Sequence, residues 1–390
     1  MTLRDRLRDL QRTLRDARLD FQDKWREMPV RKKATIVGGL SGVIVICTGI
    51  TLWFILRVVS SGGVVPPQQI VLYTSCDAHL IEPVLGPFEA ETGLKVRVVG
   101  DTEAGKTTGL VQRLLAERDK PRADVWWSNE HLATSILARE GLLEPFAVRS
   151  EADFPGGWPE PFKASDRTWY GFALRARVIA YNSNRLSKNN VPTRLRDLTD
   201  AAWAGKVGMA RPQFGTTRTH IAALVATAGE ASVREWLTLM KAQGLRLYDG
   251  NSGVVQAIAH GEIDIGLTDT DDCFAADRNN WPVAFVYETP DKPNARITGL
   301  PSAGPLVIPN TVARLRGGPN PNYAQRLADY LTSAQVERIL AQSDSRNLPV
   351  RESLAKEFPS QAMPQPAAVA PGDLLAAQGA ADRLIAEIFP

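Results

Sequence analysis

Beyond residue 62 the chain consists of short apolar runs of strand length, separated by stretches whose apolar residues recur at helical spacing. The runs are Ile70–Tyr73, Leu94–Val99, Val125–Trp127, Val178–Tyr181, Val207–Ala210, Ile263–Leu267, Val283–Tyr287 and Leu306–Ile308. Between them lie patterns such as Leu110, Val111, Leu114 and Leu115. Parallel strands need a crossover, usually a helix, so this alternation predicts an α/β architecture with largely parallel sheets. At 390 residues, 44% hydrophobic and 23% charged, the chain is long enough for one large or two medium domains. There is no internal repeat. A stretch over 360–370 rich in Pro and Ala predicts a connector to a last helix at Leu374–Ile388.

From Ala34 to Leu56 run 23 residues without a charge. At ~1.5 Å per residue such a helix crosses the ~30 Å hydrocarbon core of a bilayer. Arg31, Lys32 and Lys33 precede it, so the positive-inside rule puts 1–33 in the cytoplasm and 61–390 outside. A cleavable signal has a shorter apolar region, about 7–15 residues, so an uncleaved anchor over 34–58 is expected, followed by a linker over 59–69. This implies a single-pass protein of the inner membrane. The 1–33 arm carries 11 Lys/Arg against 6 Asp/Glu, a balance of +5 within a total of +3, and the remaining −2 gives no reason to expect nucleic acid. Leu3, Leu7, Leu10, Leu14, Ala17 and Phe21 form a seam that suits a short coiled coil or a helix lying on anionic membrane lipid.

Gly100, Gly105, Lys106 and Thr107 spell the GxxxxGKT of a phosphate-binding loop after a predicted strand. Asp101 and Glu103 oppose that reading, because they put negative charge where polyphosphate would sit. A capped turn before a helix through Arg118 accounts for the same residues, leaving Lys106 and Thr107 as candidate ligand contacts. Four histidines (His79, His131, His220, His260), no GxSxG elbow and no HExxH pair give no catalytic constellation, so no enzyme is expected. Two segments open helices with groups that suit anions: Gly215, Thr216 and Thr217, and Asn251 with Ser252.

Several stretches together carry a resemblance: "IVLYTSCDAHLIEPVLGPFEAETGLKV", "ADVWWSNEHLATSILAREGLLEPF", "WYGFALRARVIAYN", "ARPQFGTTRTH", "NSGVVQAIAHGEIDIGLTDTDD" and "PNTVARLRGGPNPNYAQRLADYLTS". In order and spacing they resemble the periplasmic ferric-ion-binding branch of the solute-binding proteins of ABC importers, over roughly Ile70 to Arg351. The resemblance implies a two-lobed, hinged α/β fold, with 70–170 and 288–351 in the first lobe and 182–283 in the second. It places the crossings near Tyr170–Asn182 and Val283–Glu288 and leaves 352–390 as a C-terminal extension. It also implies an interlobe cleft that delivers its ligand to permease subunits. No cofactor is required; a metal ion, Fe³⁺ or divalent, would be transported cargo.

The site residues depart from the family. Ferric-binding relatives use two adjacent tyrosines after the strand equivalent to Ile263–Leu267; here "TDTDD" puts Asp271 and Asp272 in their place, preceded by Asp269. Carboxylates favour Ca²⁺, Mg²⁺ or Mn²⁺, or the ammonium group of an organic ligand, over the Fe³⁺ that phenolates suit. Asp77 falls where the family has a histidine ligand, and Asn129-Glu130 where it has a Glu-Gln pair. Asp77, Glu130, Asp271 and Asp272 are therefore the candidate metal ligands. The family's synergistic anion would meet Gly215–Thr217, Asn251 and Ser252, with Thr74 and Ser75 at the end of the first strand nearby. A small phosphonate bearing an amine fits the same groups, and a membrane-anchored ligand sensor is the rival role. Cys76 and Cys273 flank the two halves of the cleft, where a disulfide would resist hinge motion.

Overall fold

The structure, a computed structural model, describes residues 69–101, 108–364, 366–367 and 369–390, together with positions 24, 26, 29 and 32. The arm seam, the 34–58 segment, most of the linker, Lys106 and Thr107 lie outside the described residues. Among the described residues no helix is long and apolar enough to cross a membrane. Residues 68–390 form one compact unit.

The first lobe is built in the predicted alternation: β1 (Gln69–Thr74), α1 (Ala78–Thr92), β2 (Lys95–Gly100), α2 (Thr108–Ala116), β3 (Val125–Ser128), α3 (His131–Arg139) and β4 (Leu143–Glu144). Strand β5 (Trp169–Asn182) then leads into the second lobe: β6 (Val207–Ala210), α4 (Gly215–Ala228), α5 (Glu230–Ala242), β7 (Arg246–Tyr248), α6 (Asn251–Ala259), β8 (Ile265–Asp269), α7 (Thr270–Arg278) and β9 (Val283–Val286). The chain returns through β10 (Val307–Leu315) to α8 (Pro321–Leu331), α9 (Ala334–Gln342) and the one-turn α10 (Glu352–Ala355), and ends in α11 (Pro371–Ile388).

The strand order is β2-β1-β3-β10-β5-β8-β6-β7, with β4 added to β10 and β9 to β5. β1 pairs parallel to β2 and β3, and β6 parallel to β7 and β8, so each lobe has a parallel core joined by helices. Strand β5 belongs to both lobes. Its first half, through Ala176, pairs with β10, and its second half, from Arg177, pairs with β8 and β9. All 14 of its residues are buried.

A bulge interrupts β5. Pro309 pairs with Leu174 and Asn310 with Phe172, which makes Ala173, at φ 49°, the extra residue. Asn310 Nδ2 donates to the Ala173 carbonyl at 2.8 Å and so holds the left-handed turn in place. A bulge re-aims the side chains beyond it, and here those are Arg175 and Arg177.

Helix α11 lies on α4 and α5 and also reaches α3 of the first lobe. Leu374, Ala381, Leu384, Ile385 and Ile388 are its buried face, each large side chain contributing roughly 1.5–3 kcal/mol. Arg218 grips Asp382 with two hydrogen bonds, at 2.8 and 2.7 Å.

The segment between β9 and β10 stays on the second lobe: Thr289 N donates to Thr193 O at 2.8 Å, and Arg196 pairs with Asp291. Within it Glu288 is buried, and burial pushes its carboxyl up to about 7 against the pull of Ser302 and Leu195. The folded chain therefore holds this proton more tightly than the unfolded chain, and the stability it contributes is lost as pH rises from about 4.5 to about 7. Glu288→Gln should flatten that part of the stability curve and raise the melting temperature at pH 8. Calorimetry from pH 4.5 to 8 checks this, and an unchanged slope would contradict it.

Candidate functional site

Four helices begin at one cavity of about 470 Å³ between the lobes: α1 from the first lobe and α4, α6 and α7 from the second. Their free N–H groups and dipoles give the cavity a positive backbone potential. Set against it are Asp77, Asp249, Asp269, Asp271 and Asp272. The carboxylates of Asp269, Asp271 and Asp272 offer oxygens that all lie within 4.8 Å of one another, close enough to hold a cation.

These three aspartates are not equivalent. Asp269, 1% exposed at the end of β8, takes Arg177 Nη1 on Oδ1 at 2.8 Å. Its Oδ2 accepts from Asn251 Nδ2 at 2.9 Å and lies 3.3 Å from Arg175 Nε. It is thus a counter-ion to two guanidiniums. Asp271 and Asp272 stand in the first turn of α7, where the helix dipole favours negative charge. Asp272 Oδ2 accepts from Thr268 Oγ1 at 3.3 Å, and Asp271 Oδ2 lies 3.4 Å from Arg175 Nη1. Asp77 and His79 face them from the start of α1.

The two arginines are what the sequence reading missed. They sit two residues apart in a buried strand, and charged residues at i and i+2 in "WYGFALRARVIAYN" were the available signal. Burial works against the charge of Arg175, but Asp271, Asp269, Asp77 and Asp272 together raise its pKa above the usual arginine value. Next to these cations the buried histidines stay neutral. Burial, with Arg175 nearby, brings His131 down to about 4, and burial with Arg177 lowers His220 well below its ordinary value.

The anion-suited residues are also here. Gly215 begins α4 with φ +54°, and Thr216 and Thr217 occupy its first turn on the cavity wall beside Ser252 of α6. Asn251 Nδ2 also donates to Thr216 Oγ1 at 3.0 Å, which ties the two helix starts together. Thr74 and Ser75 are buried and do not line this cavity. Thr74 Oγ1 accepts from Cys76 N at 3.0 Å, and Ser75 Oγ donates to Asn129 Oδ1 at 3.1 Å, shaping the loop that carries Asp77. Cys76 and Cys273 are not joined by a disulfide.

Glu130 lies apart from the aspartates. Its carboxylate caps α3, accepting from Leu132 N at 2.6 Å and Ala133 N at 2.9 Å, and it accepts Thr219 Oγ1 of the second lobe at 2.9 Å. It lines a second cavity, of about 680 Å³, whose wall includes α11. Its hydrogen bonds are those of a helix cap and an interlobe link. Glu130→Ala should therefore cost about 1–2 kcal/mol of stability and leave cation affinity unchanged. Parallel melting and calorimetry separate the two effects, and a lost cation response would make Glu130 a ligand.

Residues 84–370 match the family described as bacterial extracellular solute-binding protein. Iron uptake protein A1 of Synechocystis sp. is 28% identical over 315 residues, covering 75% of this chain and 81% of that protein. The major ferric iron-binding protein of Neisseria meningitidis serogroup B is 26% identical, covering 70% and 78%. Among solved structures, iron-bound HitA from Pseudomonas aeruginosa superposes with a TM-score of 0.69 at 24% identity, over 83% of this chain and all of that one. The two lobes joined through β5 and the cleft between them are those of this fold, and the chain belongs to the bacterial extracellular solute-binding protein family.

Proposed function

We propose that this chain captures a metal cation in its interlobe cleft, on the outer side of the membrane, and hands it to the permease subunits of an ABC importer. The observation that carries this reading is the carboxylate cluster of Asp269, Asp271 and Asp272 at the C-terminal end of β8, facing the cleft. Ligands of open α/β sheets bind beyond the carboxyl ends of the strands. The names of the relatives, iron uptake protein A1 and major ferric iron-binding protein, support a metal cargo. With aspartates where the resemblance expects tyrosines, a hard cation on oxygen ligands is the better match to these side chains. Asp271 and Asp272 are the ligands from the second lobe and Asp77 the one from the first. An anion accompanying the cation would meet Gly215, Thr216, Thr217 and Ser252.

The segment 34–58, without a charge from Ala34 to Leu56, is proposed as the anchor, with the basic arm on the cytoplasmic side and the binding unit in the periplasm. Lys106 and Thr107 remain proposed contacts at the rim.

One observation favours a second reading. A cavity of about 470 Å³ is far roomier than a bare ion requires, and it sets helix starts beside carboxylates. A small phosphonate bearing an amine would use both, its ammonium on Asp271 and Asp272 and its anionic end on α4 and α6. Thermal melting with Ca²⁺, Mn²⁺, Fe³⁺, phosphate and aminoalkyl phosphonates, alone and paired, separates the readings. Stabilisation by cations supports the first; stabilisation by the phosphonate alone supports the second and rejects the first.

A further inference from the structure

We propose that two reciprocal ion pairs at the rim of the cleft form a latch that holds the lobes together, so that ionic strength sets how readily the cleft opens. The inference goes beyond the reading of the cargo and applies to whichever ligand the cleft takes.

Helix α7 ends with Asp277 and Arg278. Across from it, the loop that follows α9 presents Asp344 and Arg346. Arg278 Nη1 donates to Asp344 Oδ2 at 2.7 Å, and Arg346 Nη1 donates to Asp277 Oδ2 at 2.9 Å. Each side thus offers one acid and one base to the other, an arrangement that attracts only in this register. The Arg346 guanidinium also lies 5.2 Å from the ring centre of Phe274 on α7, a cation–π contact. Arg278 and Ser345 both line the cleft, which places the pairs at its edge.

The two elements belong to different lobes. α7 follows β8 in the second, whereas α9 packs on α1 and β5. The loop after α9 ends at Leu348, which exchanges backbone hydrogen bonds of 2.6 and 2.7 Å with Leu174, in the half of β5 that pairs with β10. Arg346 N donates to Ser343 O at 3.1 Å and Asn347 N to Leu340 O at 3.3 Å. The loop is therefore fixed on the first lobe by its own backbone, and the ion pairs are not needed to hold it. Arg346 itself has φ 45°, a left-handed conformation that glycine or asparagine adopts at less cost. An arginine there keeps a charge facing α7.

Deeper links between the lobes, Arg175 to Asp271 and Glu130 to Thr219, are buried. The rim pairs are not, their four side chains being between 40% and 58% exposed. Salt screens them, with a Debye length of about 10 Å at 0.1 M that falls to about 3 Å at 1 M. One exposed pair shifts an equilibrium by up to about 5-fold, and two acting together shift the ratio of open to closed chains by about 10-fold. The latch and the site share one rigid element, since Asp271 and Asp272 occupy the first turn of the helix whose last turn carries the pairs. Cargo leaves through the open state, so screening the latch speeds its release.

The test reads opening with no cargo present. Nitroxide labels are placed on Glu82→Cys of α1 and Glu235→Cys of α5, exposed positions in the two lobes. The full chain is used in mild detergent, with Cys47→Ser and Cys76→Ser; Cys273 is buried. Pulsed electron resonance gives the distance distribution at ~50 mM and ~500 mM salt. The wild type should shift toward the longer, open distance as salt rises. Asp344→Asn/Arg346→Gln should raise the open-to-closed ratio about 10-fold at low salt and lose most of the salt response. Arg278→Asp/Asp344→Arg, which exchanges the charges of one pair, should stay near the wild type. An unchanged ratio in the neutral variant overturns the inference, and so does an exchanged variant that opens as far as the neutral one. A failed latch and a failed cation reading show separately, the first as an unchanged distance distribution, the second as a wild type that gives no melting response to Ca²⁺.

Discussion

Exchanging Asp271 and Asp272 together for asparagine abolishes the rise in melting temperature that a divalent cation gives the wild-type chain. A ligand at 100 times its dissociation constant stabilises the folded state by about 2.7 kcal/mol. For a domain of this size, at roughly 2–4 °C per kcal/mol, the wild-type shift is about 5–10 °C. Asparagine keeps the shape of both side chains and an oxygen for the contacts from Thr268 Oγ1 and the Asp272 amide. Only the charge is removed, and with it the affinity for a hard cation. Scanning fluorimetry with Mn²⁺ and Ca²⁺ reads the difference directly. A double variant that still shifts by the wild-type amount would mean that these carboxylates are not the ligands.

A second large effect lies far from the cleft. Glu337 on α9 is fully buried and accepts from Arg351 Nη1 at 2.9 Å and Val350 N at 3.0 Å. Arg351 in turn reaches Asp153 at 2.8 Å and the Thr332 carbonyl at 2.9 Å, over the rings of Phe154 and Trp158. Burial raises the pKa of Glu337, opposed by Arg351 and the two backbone donors. Glu337→Leu leaves the guanidinium with the half-exposed Asp153 as its remaining counter-ion and should cost about 3–5 kcal/mol, a fall in melting temperature of roughly 6–20 °C. Glu337→Leu/Arg351→Met removes both charges and should recover much of the loss. Calorimetry of the single and double variants decides this, and a double variant no more stable than the single one would contradict it.

What the sequence could disclose followed the physics of each element. The run Val207–Ala210 coincides with β6, and the stop at Gly229 coincides with the end of α4, because period and punctuation are local signals. β4 and β7, at two and three residues, are too short to carry a period. In β5 only Val178–Tyr181 was visible within a 14-residue strand, since Arg175, Arg177 and the bulge at Ala173 break its apolar pattern. Of these, Arg175 lines the cleft.

At the site, the cluster of carboxylates after β8 was legible as composition, but the division of labour within it was not. Asp269 meets Arg177 across 92 positions of chain, a pairing that no local pattern encodes. Glu130 was misleading for a related reason. Glutamate is an uncommon helix cap, so its acceptance of two backbone amides of its own helix could not be anticipated from "SNEHL".

The central claim is that a cation sits between the lobes on Asp271 and Asp272, with Asp77 opposite. Crystals of the full chain grown with Mn²⁺, measured at the manganese edge, test it most directly. The account predicts one anomalous peak in the interlobe cleft, within about 2.5 Å of carboxylate oxygens of Asp271 and Asp272. An empty cleft, or an organic molecule with its amine on those aspartates and no anomalous signal, would contradict it.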